Sequence, residues 1–288
     1  MMAGLVASIH ARLLNRAKAR GEDFNLVLTR YAIERFLYRL SQAPARESLW
    51  LKGALLFDLW FDVPHRPTHD ADFLGFGPRD AEALVVTMRD VCGVHVDDGM
   101  IFDAATITVE EIREEARYGG LRVRLTGMLG KARSTVQIDV GYGDAVSPGP
   151  EDAVYPVMLE DLPPPRLRVY PRATVIAEKL EAIESLGMTN SRMKDFFDIH
   201  ALAREGMLDI AELGVAIAAT FGRRATPIPD GVPLGLSDEF AQDSVKRTQW
   251  QGFLRKNRLG EMALEDVIDD VRRFVEAPMA HARKVPVQ

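Results

Sequence analysis

The segment Arg66-Pro67-Thr68-His69-Asp70-Ala71-Asp72-Phe73 constrains this chain more than any other. Pro67 blocks a helix, and the apolar run after Asp70 reads as a strand over Asp70 to Phe76. Residues two apart on a strand point to one face, so Asp70 and Asp72 project side by side. The preceding segment, Leu49-Trp50-Leu51-Lys52-Gly53-Ala54-Leu55-Leu56, reads as a short buried strand ending at Gly53. A helix is expected over Ala54 to Phe61, with Pro64 and Pro67 interrupting the pattern after it. Strand, glycine, helix and acidic strand therefore follow one another within about 25 residues.

Two neighbouring carboxylates repel unless a cation lies between them. A hard, oxygen-seeking Mg²⁺ carrying a nucleoside triphosphate is the usual partner of such a pair. A strand-to-helix turn with glycine offers free backbone N–H groups that a phosphate can approach, although Gly53 also suits a plain turn. A third acid occurs in Val136-Gln137-Ile138-Asp139-Val140-Gly141. Asp139 points away from the side of Ile138 and Val140, where it either meets a partner or metal, or faces water. Asp144 is the substitute if that register is shifted.

The rest of the chain divides in character. Residues 1–40 have a helical period, and Arg79 to Val91 resumes it. Strands are expected over Ile101 to Val109, Leu121 to Leu129 and Ser134 to Tyr142, with turns at Gly119, Gly120 and Gly130. Pro148 to Pro150 and Pro163 to Pro165 bracket an expected linker. Helices follow over Ala173 to Leu186, Ser191 to Glu205, Ile210 to Phe221, Ser237 to Lys256 and Leu264 to Glu276, with a loop over Ala225 to Leu236. This gives an α/β domain over 1–165 and a helical domain over 166–288.

The helical half carries two further polar groups. Lys179 lies in Ala177-Glu178-Lys179-Leu180, on an amphipathic segment where an ordinary exposed lysine is the plain reading. In Arg192-Met193-Lys194-Asp195-Phe196-Phe197-Asp198, Asp195 and Asp198 share a helix face, and salt bridging would account for both.

Composition excludes several classes. With 47% apolar and 27% charged residues, the 288-residue chain is a folded globular protein. The single cysteine, Cys92, excludes an internal disulfide framework and a cysteine-built zinc site, and fits a reducing cytoplasm. The first residues have basic groups after the apolar ones, the wrong order for a secretory signal. The apolar stretch from Leu49 to Val63 is interrupted by Lys52, Asp58 and Asp62, so no membrane span is expected. A net charge of −6 argues against general nucleic-acid binding. Yet Lys246, Arg247, Arg255, Lys256 and Arg258 form an acid-free run around Trp250. That run either contacts RNA, with Trp250 stacking on a base, or is a terminal helix anchored by Trp250, Phe253 and Leu254.

Taken in order, these pieces resemble the AbiEii/AbiGii-type nucleotidyltransferases, a family that includes MenT-like toxins of toxin–antitoxin pairs. The family's first motif matches Lys52-Gly53-Ala54 followed by Arg66, Thr68, Asp70 and Asp72. Its later motifs match Ala177, Lys179 and Leu180, then Arg192, Lys194, Asp195 and Asp198. Ala54 stands where the family has a second glycine, a change that keeps the backbone N–H. The resemblance implies a polymerase-β-like α/β core with a mixed sheet and a helical C-terminal lobe. It implies Mg²⁺-dependent transfer of a nucleoside monophosphate from an NTP to RNA or protein, with the 3′ end or acceptor stem of a tRNA as the leading acceptor. Asp70 and Asp72 would hold Mg²⁺, with Asp139 as a third ligand inferred from the polymerase-β-like fold. Lys52, Gly53, Arg66 and Thr68 would bind the nucleotide. Lys179 would contact its phosphates, and Asp195 and Asp198 would orient the helical lobe's part of the site. A cognate antitoxin is the implied partner, and a catalytically silent nucleotide-binding protein of the same fold is the alternative. A sugar-nucleotide transferase would need a longer strand–helix alternation before Asp70, and an HD phosphohydrolase would need more helical histidines.

Overall fold

A computed structural model of the chain describes residues 2–61, 66–112, 119–206 and 208–286. Pro64 lies outside the described residues. The chain forms two compact units. The first comprises Met1–Gly143 and Glu151–Val169, and the second Asp144–Pro150 and Tyr170–Gln288.

The first unit is a mixed sheet with helices. Its helices are α1 (Met2–Arg20), α2 (Phe24–Gln42), α3 (Phe57–Trp60) and α4 (Ala81–Gly93). Its strands are β1 (Leu49–Lys52), β2 (Asp70–Gly75), β3 (Met100–Ile112), β4 (Gly120–Leu129), β5 (Ala132–Tyr142), β6 (Glu151–Val154) and β7 (Arg166–Val169). The seven strands are ordered β3-β4-β5-β2-β1-β7-β6. β2 runs parallel to β5, and β1 parallel to β7, while the other pairs are antiparallel.

The period-2 pattern decides which face meets the helices. Leu121, Val123 and Leu125 of β4, Val136, Ile138 and Val140 of β5, and Ala71 and Phe73 of β2 are all buried. α2 packs on β5 and β7, and α4 on β3. α2 contributes Val27, Leu28, Tyr31, Phe36 and Leu40 to this core. The alternate residues, Arg122, Arg124, Gln137, Asp139, Asp70 and Asp72, are half-buried.

Where the sequence reads as one helical stretch over 1–40, the structure has two helices. Gly21 adopts a left-handed φ of 63°, and the Asp23 carboxylate accepts from the amides of Asn25 and Leu26 to start α2. The expected linker is instead part of the sheet: β6 and β7 pair across it, and β7 joins β1. Its prolines fall outside the paired positions, between Val154 and Arg166 or before Glu151, which is why they do not prevent the ladder. The intervening segment is tied to α2: the Met158 amide donates to Glu34 Oε2 at 2.6 Å, and both Arg35 Nη atoms donate to the Pro163 carbonyl at 3.2 Å.

The second unit is helical, with α5 (Arg172–Leu186), α6 (Met193–Glu205), α7 (Ile210–Arg223), α8 (Asp238–Gln242), α9 (Ser244–Asn257) and α10 (Leu264–Ala282). α7 packs on α5 and α10, and α6 on α5, α9 and α10. The helix expected over Ser237 to Lys256 is broken at Asp243. Its carboxylate caps α9 by accepting from the amides of Val245 and Lys246. No helix among the described residues is long and apolar enough to cross a membrane.

Candidate active site

Strand register builds the site. Reading across the sheet, Glu110 on β3 lies opposite Arg122 on β4, Arg122 opposite Asp139 on β5, Asp139 opposite Asp72 on β2, and Asp72 opposite Lys52 on β1. The row therefore reads minus, plus, minus, minus, plus. All five members sit beside an opposite charge on at least one side, and a single junction sets like against like: Asp139 and Asp72. Like charges directly opposite on neighbouring strands destabilise a sheet. Asp70, two residues before Asp72 and opposite Gln137, adds a third carboxylate to that junction.

One oxygen from each of Asp70, Asp72 and Asp139 lies within 4.8 Å of the others. At about 5 Å two carboxylates repel by about 3 kcal/mol at an effective dielectric of about 20. Magnesium takes oxygen ligands at about 2.1 Å, so neighbouring ligand oxygens stand about 3 Å apart in its octahedron. The three side chains would close by about 1–2 Å to reach that spacing, within side-chain rotation. An all-oxygen, triply acidic set on three different strand positions fits a hard divalent cation.

The surroundings fix each acid. Thr68 Oγ donates to Asp70 Oδ1 at 2.7 Å. Gly53 has a φ of 74°, and a Cβ built there would lie 2.1 Å from Asp72 Oδ2. Glycine is thus required twice over, by the left-handed backbone and by the carboxylate that occupies the space. Arg122 forks onto Asp139, with Nε to Oδ1 at 2.8 Å and Nη2 to Oδ2 at 2.6 Å. That hydrogen-bonded pairing holds the Arg122 guanidinium above its ordinary pKa, with Glu110 and Asp70 adding to it. The next residue on that face, Arg124, bonds Glu110 at 2.6 Å and Gln137 at 3.2 Å.

The turn after Gly53 is tighter than expected. In place of a helix over Ala54 to Phe61 there is a 3₁₀ turn over Gly53–Leu56 and then the single-turn α3. The positive φ of Gly53 and the need to clear Asp72 turn the chain sharply. Asp58 of α3 accepts a 2.7 Å hydrogen bond from the buried Tyr155, which ties the turn to the segment after β6.

The second unit gathers the helical motif residues. Lys179 on α5 places Nζ 2.8 Å from Asp195 Oδ1 and 2.8 Å from Asp198 Oδ2 on α6. Arg192 Nε donates to Asp195 Oδ2 at 2.8 Å. Both acids are 0% exposed, so the spacing of three aims them at one buried ammonium. Burial opposes ionisation of Asp195, but Lys179, Arg192 and Lys194 outweigh it and hold the carboxyl below its ordinary range. The exposed-lysine reading of Lys179 is corrected: its side chain is 12% exposed and shared between two acids.

Two other readings change. Trp250 is fully buried, and its indole N–H donates to the Met262 carbonyl at 2.7 Å, so it is an anchor and not a base-stacking platform. Lys246, four residues before it on α9, is also buried and donates to the Asn190 carbonyl at 2.9 Å. Arg255, Lys256 and Arg258 of the same run are exposed. The register places Asp139 itself opposite Asp72, so no substitute is needed; Asp144 pairs with Arg224 at 3.1 Å in the second unit. Among the reading's site residues, the first unit brings together Lys52, Gly53, Thr68, Asp70, Asp72 and Asp139 in the row and beside it, with Arg66 just before Thr68 in the chain. The second unit brings together Lys179, Asp195 and Asp198. Arg122 was missed. Its signal was the alternation Arg122-Val123-Arg124 in a strand paired with that of Asp139.

The sequence profile of the family described as "Nucleotidyl transferase AbiEii toxin, Type IV TA system" matches residues 35–277, most of the chain. The chain belongs to the AbiEii family. It is accordingly a nucleotidyltransferase toxin of a type IV toxin–antitoxin system, and membership implies a nucleotide substrate and an antitoxin partner. Its fold is similar to that of MenT4, a nucleotidyltransferase toxin from Mycobacterium tuberculosis H37Rv, with a TM-score of 0.53, 19% identity, and coverage of 96% of this chain and 98% of that one. It is also similar to JHP933 from Helicobacter pylori, with a TM-score of 0.50, 16% identity, and coverage of 90% and 94%. No curated protein matches the sequence. The AbiEii match spans every motif residue from Lys52 to Asp198.

Proposed function

We propose that this AbiEii protein transfers a nucleoside monophosphate from a Mg²⁺-bound NTP to the 3′ end or acceptor stem of a tRNA in the cytoplasm. The observation that carries the reading is the like-charge junction of Asp72 and Asp139, with Asp70 beside it, in the sheet of a nucleotidyltransferase family member. Asp70, Asp72 and Asp139 would hold the metal, which when bound would supply charge neutralisation on the triphosphate and at its α-phosphoryl group. Gly53, Lys52, Arg66 and Thr68 line the triphosphate. The Gly53 Cα lies against the Asp72 carboxylate, which sets the turn directly beside the metal-holding acids. In the helical unit, Asp195 and Asp198 hold the Lys179 side chain in place, and this reading assigns Lys179 to the nucleotide phosphates. A terminal hydroxyl of the acceptor attacks the α-phosphorus and gives up its proton to solvent. The new phosphodiester bond forms as the α–β bridging bond breaks, and pyrophosphate leaves with the bonding pair. Exposed Arg255, Lys256 and Arg258 favour a polyanionic acceptor despite the net charge of −6.

The test incubates purified protein with Mg²⁺, total tRNA and each α-labelled NTP in turn, beside Asp70→Ala. Label on tRNA that disappears in Asp70→Ala is the expected result and names the nucleotide. Label on protein alone would replace the acceptor, and no Mg·NTP binding at all would defeat the reading.

A further inference from the structure

The charged row contains a cation already, at a telling place. Arg122 occupies both oxygens of Asp139, the carboxylate that completes the metal triad. With Arg122 counted, the three acids and one guanidinium carry a net charge of −2 rather than −3. The fork also takes one lone pair on each Asp139 oxygen, which weakens that carboxylate as a metal ligand. Arg122 has a second acceptor within the same row. Glu110 lies directly opposite on β3, and its carboxylate now serves Arg124, the neighbour of Arg122 on the same face of β4. Glu110 is 55% exposed at the side chain, so it has room to accept a second guanidinium. The row thus offers Arg122 two stations, Asp139 on one side and Glu110 on the other.

We propose that Arg122 is a built-in counter-ion of the metal site, displaced from Asp139 towards Glu110 when a divalent cation enters with the triphosphate. This rests on the proposed metal-holding role of Asp70, Asp72 and Asp139. Arg122 keeps the triad from acquiring a resident metal in the absence of nucleotide, so the cation arrives as part of Mg·NTP. It is a positioning residue, acting on the metal through Asp139 and not on the reacting phosphorus.

The experiment measures Mn²⁺ binding by nucleotide-free protein, from the loss of the free-ion EPR signal, in wild type, Arg122→Met, Arg122→Gln and Arg122→Lys. Removing one positive charge about 6 Å from a dication is expected to tighten binding about tenfold even in a water-like dielectric. Arg122→Met and Arg122→Gln should both show this tightening, and Arg122→Lys, which keeps a charge but cannot fork, should fall between them and wild type. Thermal melts confirm which variants are folded, and either neutral variant suffices. Equal or weaker Mn²⁺ binding in a folded neutral variant would overturn the proposal, because Arg122 would then only brace Asp139. The double variant Asp70→Ala with Arg122→Met separates the two levels. If it loses Mn²⁺ binding while Arg122→Met alone is no tighter than wild type, the counter-ion idea fails and the triad stands. If Asp70→Ala leaves Mn²⁺ binding unchanged in both backgrounds, the triad itself is not the metal site.

Discussion

Replacing Gly53 by alanine perturbs backbone and active site with one methyl group, and the two effects can be separated. The backbone effect follows from a φ of 74°, where a residue with a Cβ costs about 1–2 kcal/mol relative to glycine. For a unit of about 160 residues that corresponds to a melting temperature lower by about 2–8 °C. The site effect is larger. The new Cβ would stand 2.1 Å from Asp72 Oδ2, against an ordinary contact of 3.4 Å or more, so the carboxylate must retreat by about 1.3 Å. Asp72 cannot retreat with its backbone, because β2 is held by β1 on one side and β5 on the other. It must rotate away, which removes an oxygen from the triad. Displacing a catalytic group by about 1 Å costs about 10²-fold in rate. The assay is the initial rate of α-labelled NMP transfer at saturating Mg·NTP, with Mn²⁺ binding as a readout independent of the acceptor. Ala54→Gly is the control: position 54 is not among the residues of positive φ, so it should change turnover little. A Gly53→Ala protein that transfers within threefold of wild type and binds Mn²⁺ unchanged would refute the reasoning, whatever its melting temperature.

Lys179→Met leaves Asp195 and Asp198 buried with their shared ammonium gone, and should destabilise the protein by about 3–5 kcal/mol in urea melts at pH 7. Asp195 is held below its ordinary 3.8 in the fold, so it contributes stability above that pH and loses it as pH falls through the folded value. Without Lys179 the acid-unfolding midpoint should therefore move to higher pH, and an unmoved midpoint would count against the ion-pair account. Glu34 behaves in the opposite sense: burial pushes it up to about 7, only partly offset by Arg35 and the Met158 amide. Its contribution is full below about pH 4.5 and is lost as pH rises through about 7. Wild-type melting temperatures should fall from pH 5 to 8, and Glu34→Gln should flatten that slope even if it lowers every value.

The acidic strand, the glycine before it and the helical motifs were legible because each is a short-range pattern. Two carboxylates at i and i+2 of a strand share a face whatever the fold, and Asp195 and Asp198 share a helix face for the same kind of reason. Sequence also gives Asp139 its side of the strand, since Ile138 and Val140 must face the helices. What it does not give is the partner across the ladder. Arg122 and Asp139 are separated by a hairpin, and their pairing depends on a register set by Leu129 meeting Ala132 at its turn. β6 was read as linker and β7 as the start of the helical half, because four residues leave too short a period to recognise and prolines flank both. Trp250 was ambiguous for a different reason. A tryptophan among cations suits stacking or anchoring equally until burial is known, and here burial is complete.

Register also explains why an Asp-x-Asp is weak evidence alone and strong evidence here. On an isolated strand Asp70 and Asp72 could face water at small cost, separated by two residues and hydrated. Inserting that strand between β1 and β5 places Lys52 on one side of Asp72 and Asp139 on the other. Lys52 relieves one side, and Arg122 relieves the far side of Asp139, but no residue of the row stands between Asp72 and Asp139. Stability alone gives a fold no reason to set two acids directly opposite one another on neighbouring strands. Their placement next to a glycine that clears space for the Asp72 carboxylate is what a site for an incoming cation requires, with the repulsion between acids becoming attraction for the metal.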